Sequence, residues 1–127
     1  MDMERRLVIS TESAGEVAAV ITDENPKTAD AIWAALPIKG SANRWGDEIY
    51  FSTPVKAKEE NGREEVEIGS VAYWPPGNAL CIFFGATPAS VRGEPHAASP
   101  VNVFAKIAGD ATVFKKVRGN ERVVLNK

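Results

Sequence analysis

The side chains of this chain that could take part in catalysis or metal binding include one cysteine, one histidine and two adjacent carboxylates. Cys81 lies in an apolar run with no recognisable base beside it, which predicts a buried, unreactive thiol. His96 lies in a proline-rich segment, and the spacing of other possible ligands predicts no metal site. Asp47 and Glu48 are neighbours at a predicted strand, where successive side chains face opposite ways. We therefore do not expect them to act as an acid–base pair.

Bulk composition narrows the class of protein. With 127 residues, 44% hydrophobic and 25% charged, the chain fits one globular domain spanning residues 1–127. A net charge of −2 and the lack of a basic stripe make nucleic acid an unexpected partner. The apolar run after the charged N-terminal residues is too short to cross a membrane. We expect a cytoplasmic protein with no membrane partner, and its single cysteine is compatible with a reducing compartment.

Two apolar segments that meet at a Pro-Pro-Gly turn form the predicted centre of the fold, Val71–Phe84. The second segment, Ala79–Phe84, shows no polar alternation, which is typical of a strand buried on both faces. A helix is predicted from Asn25, because Asn25 suits the N-cap and Pro26 suits the first helical position. Its apolar stripe, which must pack on another element, consists of Ala29, Ile32, Trp33 and Leu36.

Most of the remaining chain is predicted to form strands. Asn61-Gly62 predicts a type I′ hairpin that extends into water. Residues 110–117 fit either a short helix or a strand, and Thr87–Pro100 is predicted to be a long loop. About eight strands with short connections favour a closed or nearly closed antiparallel barrel with one or two short helices. The other strand patterns lie at Leu7–Ile9, Glu16–Ile21, Glu48–Ser52, Val101–Ile107 and Glu121–Leu125.

Several segments resemble cyclophilins, in the order in which that family has them. Asn25–Asp30 resembles the segment in which Pro-Lys-Thr opens the first helix. Leu80–Phe84 resembles the Gly-Ser-Gln-Phe-Phe-Ile strand, and Val101–Ile107 resembles the Val-Phe-Gly-Lys-Val strand. Arg44–Phe51 and Val71–Gly77 are more specifically similar to the compact prokaryotic cyclophilin-like family. The resemblance implies a closed eight-stranded antiparallel cyclophilin-like β-barrel.

Cyclophilins bind a peptidyl-proline in an outer groove and catalyse its cis–trans isomerisation without a cofactor. The rotation barrier of about 18–20 kcal/mol reflects amide resonance, which an arginine can weaken by hydrogen-bonding the imide nitrogen. The resemblance implies that Arg44 is this catalytic arginine, although its spacing from the preceding loop is one residue shorter. It also implies an outer groove lined by the ligand-binding residues Tyr73, Trp74, Ile82 and Phe84.

Other positions depart from the isomerase pattern. Ile82 stands where the family has a glutamine, and Val101 stands where it has a histidine. The family's Met-Ala-Asn segment is replaced by Ala72-Tyr73-Trp74. We therefore expect a barrel that binds a proline-containing peptide or a small hydrophobic ligand, with weak or absent isomerase activity. A working isomerase that uses Arg44 and a non-catalytic assembly subunit are the alternatives, and the oligomeric state stays open.

Each candidate residue also has a purely structural interpretation. Arg44 could pair with a neighbouring carboxylate instead of a substrate. Tyr73 and Trp74 could cap one end of the barrel. Ile82 and Phe84 could be core residues. The sequence leaves both interpretations open for each of them.

Overall fold

The computed structural model describes residues 4–127 and is mainly β. It contains one α-helix, α1 (Pro26–Ala35), and two short 3-10 helices, Pro75–Gly77 and Ala111–Lys116. The second 3-10 helix resolves the ambiguity at residues 110–117. The strands are β1 (Arg6–Thr11), β2 (Gly15–Ile21), β3 (Ile38–Ser41), β4 (Asn43–Arg44), β5 (Glu48–Ser52), β6 (Arg63–Glu65), β7 (Ser70–Trp74), β8 (Ala79–Phe83), β9 (His96–Ile107) and β10 (Arg122–Asn126).

The strands form one antiparallel sheet in the order β3-β10-β1-β2-β9-β7-β8-β5-β4, and β6 pairs with β9 outside this path. The strands at the two ends, β3 and β4, are separated in the chain only by Ala42. The sheet therefore curls until its two edges lie at successive residues, which gives it an inner and an outer face. The predicted antiparallel β fold is confirmed, but with ten strands instead of eight. Two of them, β4 and β6, are too short to show an alternation pattern.

Alternation along β5 and β8 separates the two faces. Ile49 and Ile82 belong to the large inner core, whereas Cys81 belongs to a second, smaller apolar cluster on the outer face. Both faces of β8 are covered, and all five of its residues are buried. The prediction that Ala79–Phe84 is buried on both faces is thus confirmed. The buried members of the outer cluster are Val66, Ala72, Cys81, Phe83, Ala97, Val101 and Val103.

Helix α1 begins after Asn25 as predicted, but Asn25 does not cap it with its side chain. Its side-chain amide instead donates to the Val103 carbonyl oxygen at 2.7 Å and accepts from the Asn61 backbone N–H at 2.6 Å. The carboxylate of Glu60 caps the helix, because it accepts the backbone N–H groups of residues 27 and 28 at 3.2 and 3.1 Å.

These contacts exclude the predicted hairpin at Asn61-Gly62. Residues 56–60 form no strand and lie against the start of α1, while β6 pairs with β9. The long-loop prediction is also wrong at its end, because β9 already begins at His96. Within residues 4–127, no helix is long and apolar enough to span a bilayer.

Candidate functional site

A pocket of about 110 Å³ lies on the outer face of the sheet, where β5, β7, β8 and the start of β9 meet. Three aromatic residues contribute to its wall, together with small apolar residues, one carboxylic acid and one thiol. These residues are Trp45, Tyr50 and Trp74, then Ala97, Ala98 and Val101, and finally Glu48 and Cys81.

Strand pairing explains why a cavity forms here. Tyr50 lies opposite Cys81, and Cys81 lies opposite Ala72 on the next strand. All three side chains project from the outer face, because cross-strand partners share a face. The side chains of Cys81 and Ala72 are small, so they leave an open space on the outer face between the larger aromatic rings.

Trp74 is held at the edge of this space by two contacts. Its indole N–H donates to the Ser99 hydroxyl oxygen at 2.7 Å. Gly77 lies against its ring, and a Cβ atom placed there would be 2.6 Å from Cζ3 of the indole. The glycine of the Pro-Pro-Gly turn therefore serves the packing of the tryptophan, since no other residue would fit without moving the ring.

A tight turn positions Trp45 on the opposite side. The backbone N–H of Trp45 donates to the Glu48 carbonyl oxygen at 2.9 Å, across a turn in which Gly46 has φ +64°. A Cβ atom at Gly46 would lie 2.9 Å from Cα of Thr87, so the position requires glycine for space as well as conformation. Trp45 and Glu48, the first residue of β5, both line the pocket.

Glu48 is the chemically unusual residue of the pocket, because its side chain is buried with only 6% of the residue exposed. Burial raises the pKa of Glu48 to about 7, and a hydrogen bond with the Cys81 thiol opposes part of this shift. Burial also raises the pKa of Cys81 well above its usual value, and the neighbouring Glu48 charge adds to that rise. At neutral pH the thiol stays protonated, as predicted for an unreactive cysteine, while the carboxyl group is close to half ionised.

Ion pairs elsewhere do not neutralise Glu48. The salt bridges found within residues 4–127 all involve other carboxylates, and none of the residues lining the pocket is a lysine or arginine. In the same part of the chain, no cluster of three or more possible metal ligands is found.

Comparison with known proteins places the chain in a family. A sequence model of the family described as Cyclophilin-like matches residues 5–126. The chain belongs to the cyclophilin-like family. The solution structure of a hypothetical protein from Archaeoglobus fulgidus is also similar, with a TM-score of 0.84 and 48% identity. That similarity covers 99% of this chain and 96% of the archaeal one. No curated protein matches. The resemblance inferred from the sequence is thus confirmed.

Arg44, the predicted catalytic residue of this cyclophilin-like protein, forms hydrogen bonds with other groups of the same chain. Its Nε and Nη2 atoms donate to the Gly46 carbonyl oxygen at 3.1 and 2.8 Å. Its Nη1 atom donates to the carbonyl oxygens of Lys115 and Val117 at 3.1 and 3.0 Å. Nη2 also lies 3.4 Å from Oδ1 of Asp47, the ion pair that the structural interpretation allowed. These contacts occupy all the guanidinium donors, and the catalytic role stays a prediction.

Two of the predicted ligand-binding residues lie inside the sheet. Ile82 and Phe84 are each 1% exposed and belong to the inner core. The Arg44 guanidinium lies over the Phe84 ring, 5.1 Å from its centroid. Neither Ile82 nor Phe84 lines the outer pocket, whose β8 contribution is Cys81. Their binding roles stay predictions.

The other two predicted residues, Tyr73 and Trp74, lie on opposite faces of the sheet. Tyr73 is fully buried, and its hydroxyl lies 3.0 Å from the Val55 carbonyl oxygen and 2.8 Å from Oδ1 of Asn78. The same hydroxyl accepts the Ala57 N–H at 3.1 Å, so it ties residues 55–57 to the sheet. Trp74 alone of the predicted set lines the pocket.

Of the eight residues that line the pocket, sequence reasoning selected Trp74 and did not select the other seven, which include Trp45, Glu48 and Tyr50. The signal for two of them was present, because the alternation of Glu48–Ser52 places Glu48 and Tyr50 on the face opposite the core. This pattern gives no information about the start of β9, whose residues Ala97, Ala98 and Val101 line the same pocket on the outer face.

Proposed function

We propose that this cyclophilin-like protein binds a peptide or a small hydrophobic ligand in its outer pocket, with weak or absent prolyl isomerase activity. The observation that carries the proposal is the concave site on the outer face of the sheet, walled by Trp45, Tyr50 and Trp74. Aromatic rings supply large apolar contact area at a low cost in side-chain entropy, which suits them to ligand binding. Trp74 is already held in place by Ser99 and Gly77, so binding requires little reordering.

The contacts of Arg44 support the proposal that isomerase activity is weak or absent. Catalysis through an arginine requires an N–H group directed at the imide nitrogen of the substrate. Every guanidinium donor of Arg44 is engaged by Asp47 or by backbone carbonyl groups. A substrate would have to displace several of these bonds before the arginine could act. An active isomerase that uses Arg44 is the enzyme alternative, and a non-catalytic assembly subunit is the third.

The chain contains its own internal control for a binding experiment. It has three tryptophans, of which Trp45 and Trp74 line the pocket. Trp33 lies on helix α1, where it contacts Arg5 and Lys127. In an NMR titration with a short proline-containing peptide and with a small apolar probe, at least one of the two should shift the indole N–H signals of Trp45 and Trp74. The Trp33 signal should stay unchanged. Failure of both probes to move the pocket signals, or equal movement of all three, would count against the proposal.

A prolyl-peptide isomerisation assay separates the enzyme alternative. Wild type should show little or no rate enhancement at high protein concentration. A clear enhancement that disappears in Arg44→Ala, with the fold retained, would favour the isomerase instead.

Cellular context belongs to the same proposal. We propose a prokaryotic, cytoplasmic protein that functions without nucleic acid or membrane partners. The net charge of −2 supports the exclusion of nucleic acid, since a polyanion would meet no general attraction.

A further inference from the structure

We propose that the group bound by this pocket is an organic cation, an alkylammonium head group with Glu48 as its counter-ion and the rings of Trp45, Tyr50 and Trp74 as its aromatic wall. This inference rests on the proposed function, because it names the ligand class for the same pocket. It is carried by the charge, the aromatic composition and the size of the site.

The charge of the pocket favours a cationic ligand. Glu48 is buried in the wall of an otherwise apolar pocket. Ionising a buried carboxyl group is unfavourable unless a positive charge lies beside it. Within residues 4–127, no lysine, arginine or histidine nitrogen lies within 4 Å of its oxygens. A cationic ligand would supply the positive charge that none of the described residues places beside Glu48.

The aromatic rings of the pocket favour the same class of ligand. Cations are attracted to the faces of aromatic rings, most strongly to tryptophan. Elsewhere the protein satisfies this attraction with its own side chains, since Arg5 and Lys127 lie over Trp33 and Arg44 lies over Phe84. In the described part of the chain, none of these contacts involves a ring of the pocket. The pocket therefore combines a carboxylate with three rings that no cation within residues 4–127 covers.

The size of the pocket suits a small cationic head group. A cavity of about 150 Å³ in a protein core is known to hold benzene, which has six heavy atoms. In the same proportion, the pocket volume of about 110 Å³ would hold a group of about four or five heavy atoms. A trimethylammonium head group or a tetramethylammonium ion has this size.

Because the cation binds to the ionised form of Glu48, the affinity for the ligand should depend on pH. The ionised form of Glu48 binds the cation, and the pKa of Glu48 is about 7 in the free protein. Affinity should therefore rise about tenfold from pH 6 to pH 8 and become level above that range. The other ionisable groups of the pocket wall are Tyr50 on the same strand and Cys81 on β8. Cys81 should not ionise in this range, because burial raises the pKa of its thiol well above the usual value.

The test compares choline with its uncharged analogue 3,3-dimethylbutan-1-ol, using the indole N–H signals of Trp45 and Trp74 as the readout. At about pH 8 we expect choline to bind at least tenfold more tightly than the alcohol. Choline should bind about tenfold more weakly at pH 6, whereas the alcohol should be insensitive to pH. In Glu48→Gln the preference for choline should fall to near unity. The pH series uses wild type, so the proposal can be tested even if that variant folds poorly.

The outcomes separate this inference from the function on which it rests. Equal binding of choline and the alcohol would overturn the cation proposal and leave a hydrophobic pocket intact. Failure of both to move the pocket signals would overturn the cation proposal, while the peptide titration tests the proposed function independently. A short peptide containing trimethyl-lysine identifies the source of the cation. Tighter binding than choline supports a peptide side chain, and weaker binding supports a free small amine.

Discussion

Burial of Glu48 should make the stability of the protein depend on pH in an uncommon direction. The pKa of Glu48 is about 7 in the folded protein and near 4.5 when the chain is unfolded. Between these values the folded protein retains a proton that the unfolded chain has released. The free energy of unfolding must therefore fall as the pH rises through this range. The contribution is fully present below about pH 4.5 and lost above about pH 7.

The magnitude follows from the size of the shift. Each unit of pKa difference corresponds to about 1.4 kcal/mol, so a shift of this size gives a loss of about 3 kcal/mol. With a urea m-value of about 1.5 kcal/mol/M, the unfolding midpoint should fall by roughly 2 M across the range. Glu48→Gln removes the ionisable group and preserves most of its shape. The variant should be close to wild type in stability at pH 5 and more stable by up to about 3 kcal/mol at pH 8.

Urea unfolding followed by tryptophan fluorescence, from pH 5 to pH 8.5, measures this difference. Glu67→Gln is a suitable control, because the hydrogen bond and charge of Lys106 lower the pKa of Glu67. That group gives stability above about pH 4.5 and loses it only at lower pH, so its variant should run parallel to wild type. Effects of other carboxyl groups cancel in each comparison. The reasoning fails if the Glu48→Gln curve also runs parallel to wild type between pH 5 and pH 8.

Three further predictions concern contacts that support the site and the fold. Glu60→Ala removes the cap of helix α1 and should lower the free energy of unfolding by about 1 kcal/mol, measured by urea unfolding. Tyr73→Phe should cost about 1–3 kcal/mol in the same assay, because buried polar partners of its hydroxyl lose a hydrogen bond. Gly77→Ala should move the Trp74 ring, shift its indole signal and weaken binding in the pocket, at a cost of about 1–3 kcal/mol.

Each of these three variants has a matched control in the same chain. Glu59→Ala changes an exposed neighbouring carboxylate and should leave stability within about 0.5 kcal/mol. Gly119→Ala meets no atom within 4 Å and should leave the Trp74 signal in place. Tyr50→Phe removes a hydroxyl for which no hydrogen bond is found within residues 4–127, so it should be milder than Tyr73→Phe. If a control variant has as large an effect in its assay as the variant it is matched with, the role assigned to that contact is wrong.

Local sequence patterns predicted the positions of helices and strands better than they predicted the hydrogen-bonding partners of individual residues. The helix begins at Pro26 as predicted, because a fixed proline φ suits the first turn whatever surrounds it. Its capping group was misassigned to Asn25, because the true cap, Glu60, lies more than thirty residues away along the chain. The same long-range contacts override the local turn preference of Asn61-Gly62. A pattern within ten residues contains no information about such partners.

The residues of β8 that the sequence selected and the outer pocket lie on opposite faces of the sheet. The similarity to cyclophilins drew attention to Ile82 and Phe84, which point into the core, whereas the outer pocket uses Cys81. A displacement of one residue along a strand exchanges the two faces, so a short apolar match cannot decide which face carries a site. The alternation of Glu48–Ser52 is less ambiguous, because its polar residues mark the outer face directly.

Glu48 also supports the proposal that the pocket is a binding site rather than a packing defect. A void between apolar side chains loses contacts, and the neighbouring side chains can relax to fill part of it. Here the void adjoins a buried carboxyl group whose ionisation opposes folding by about 3 kcal/mol above neutral pH. That is a large fraction of the net stability of about 5–15 kcal/mol typical of a domain. Glutamine would fill the same position without this penalty. The acid is therefore most simply explained by a ligand whose positive charge restores, in the complex, the stability that ionisation removes from the free protein.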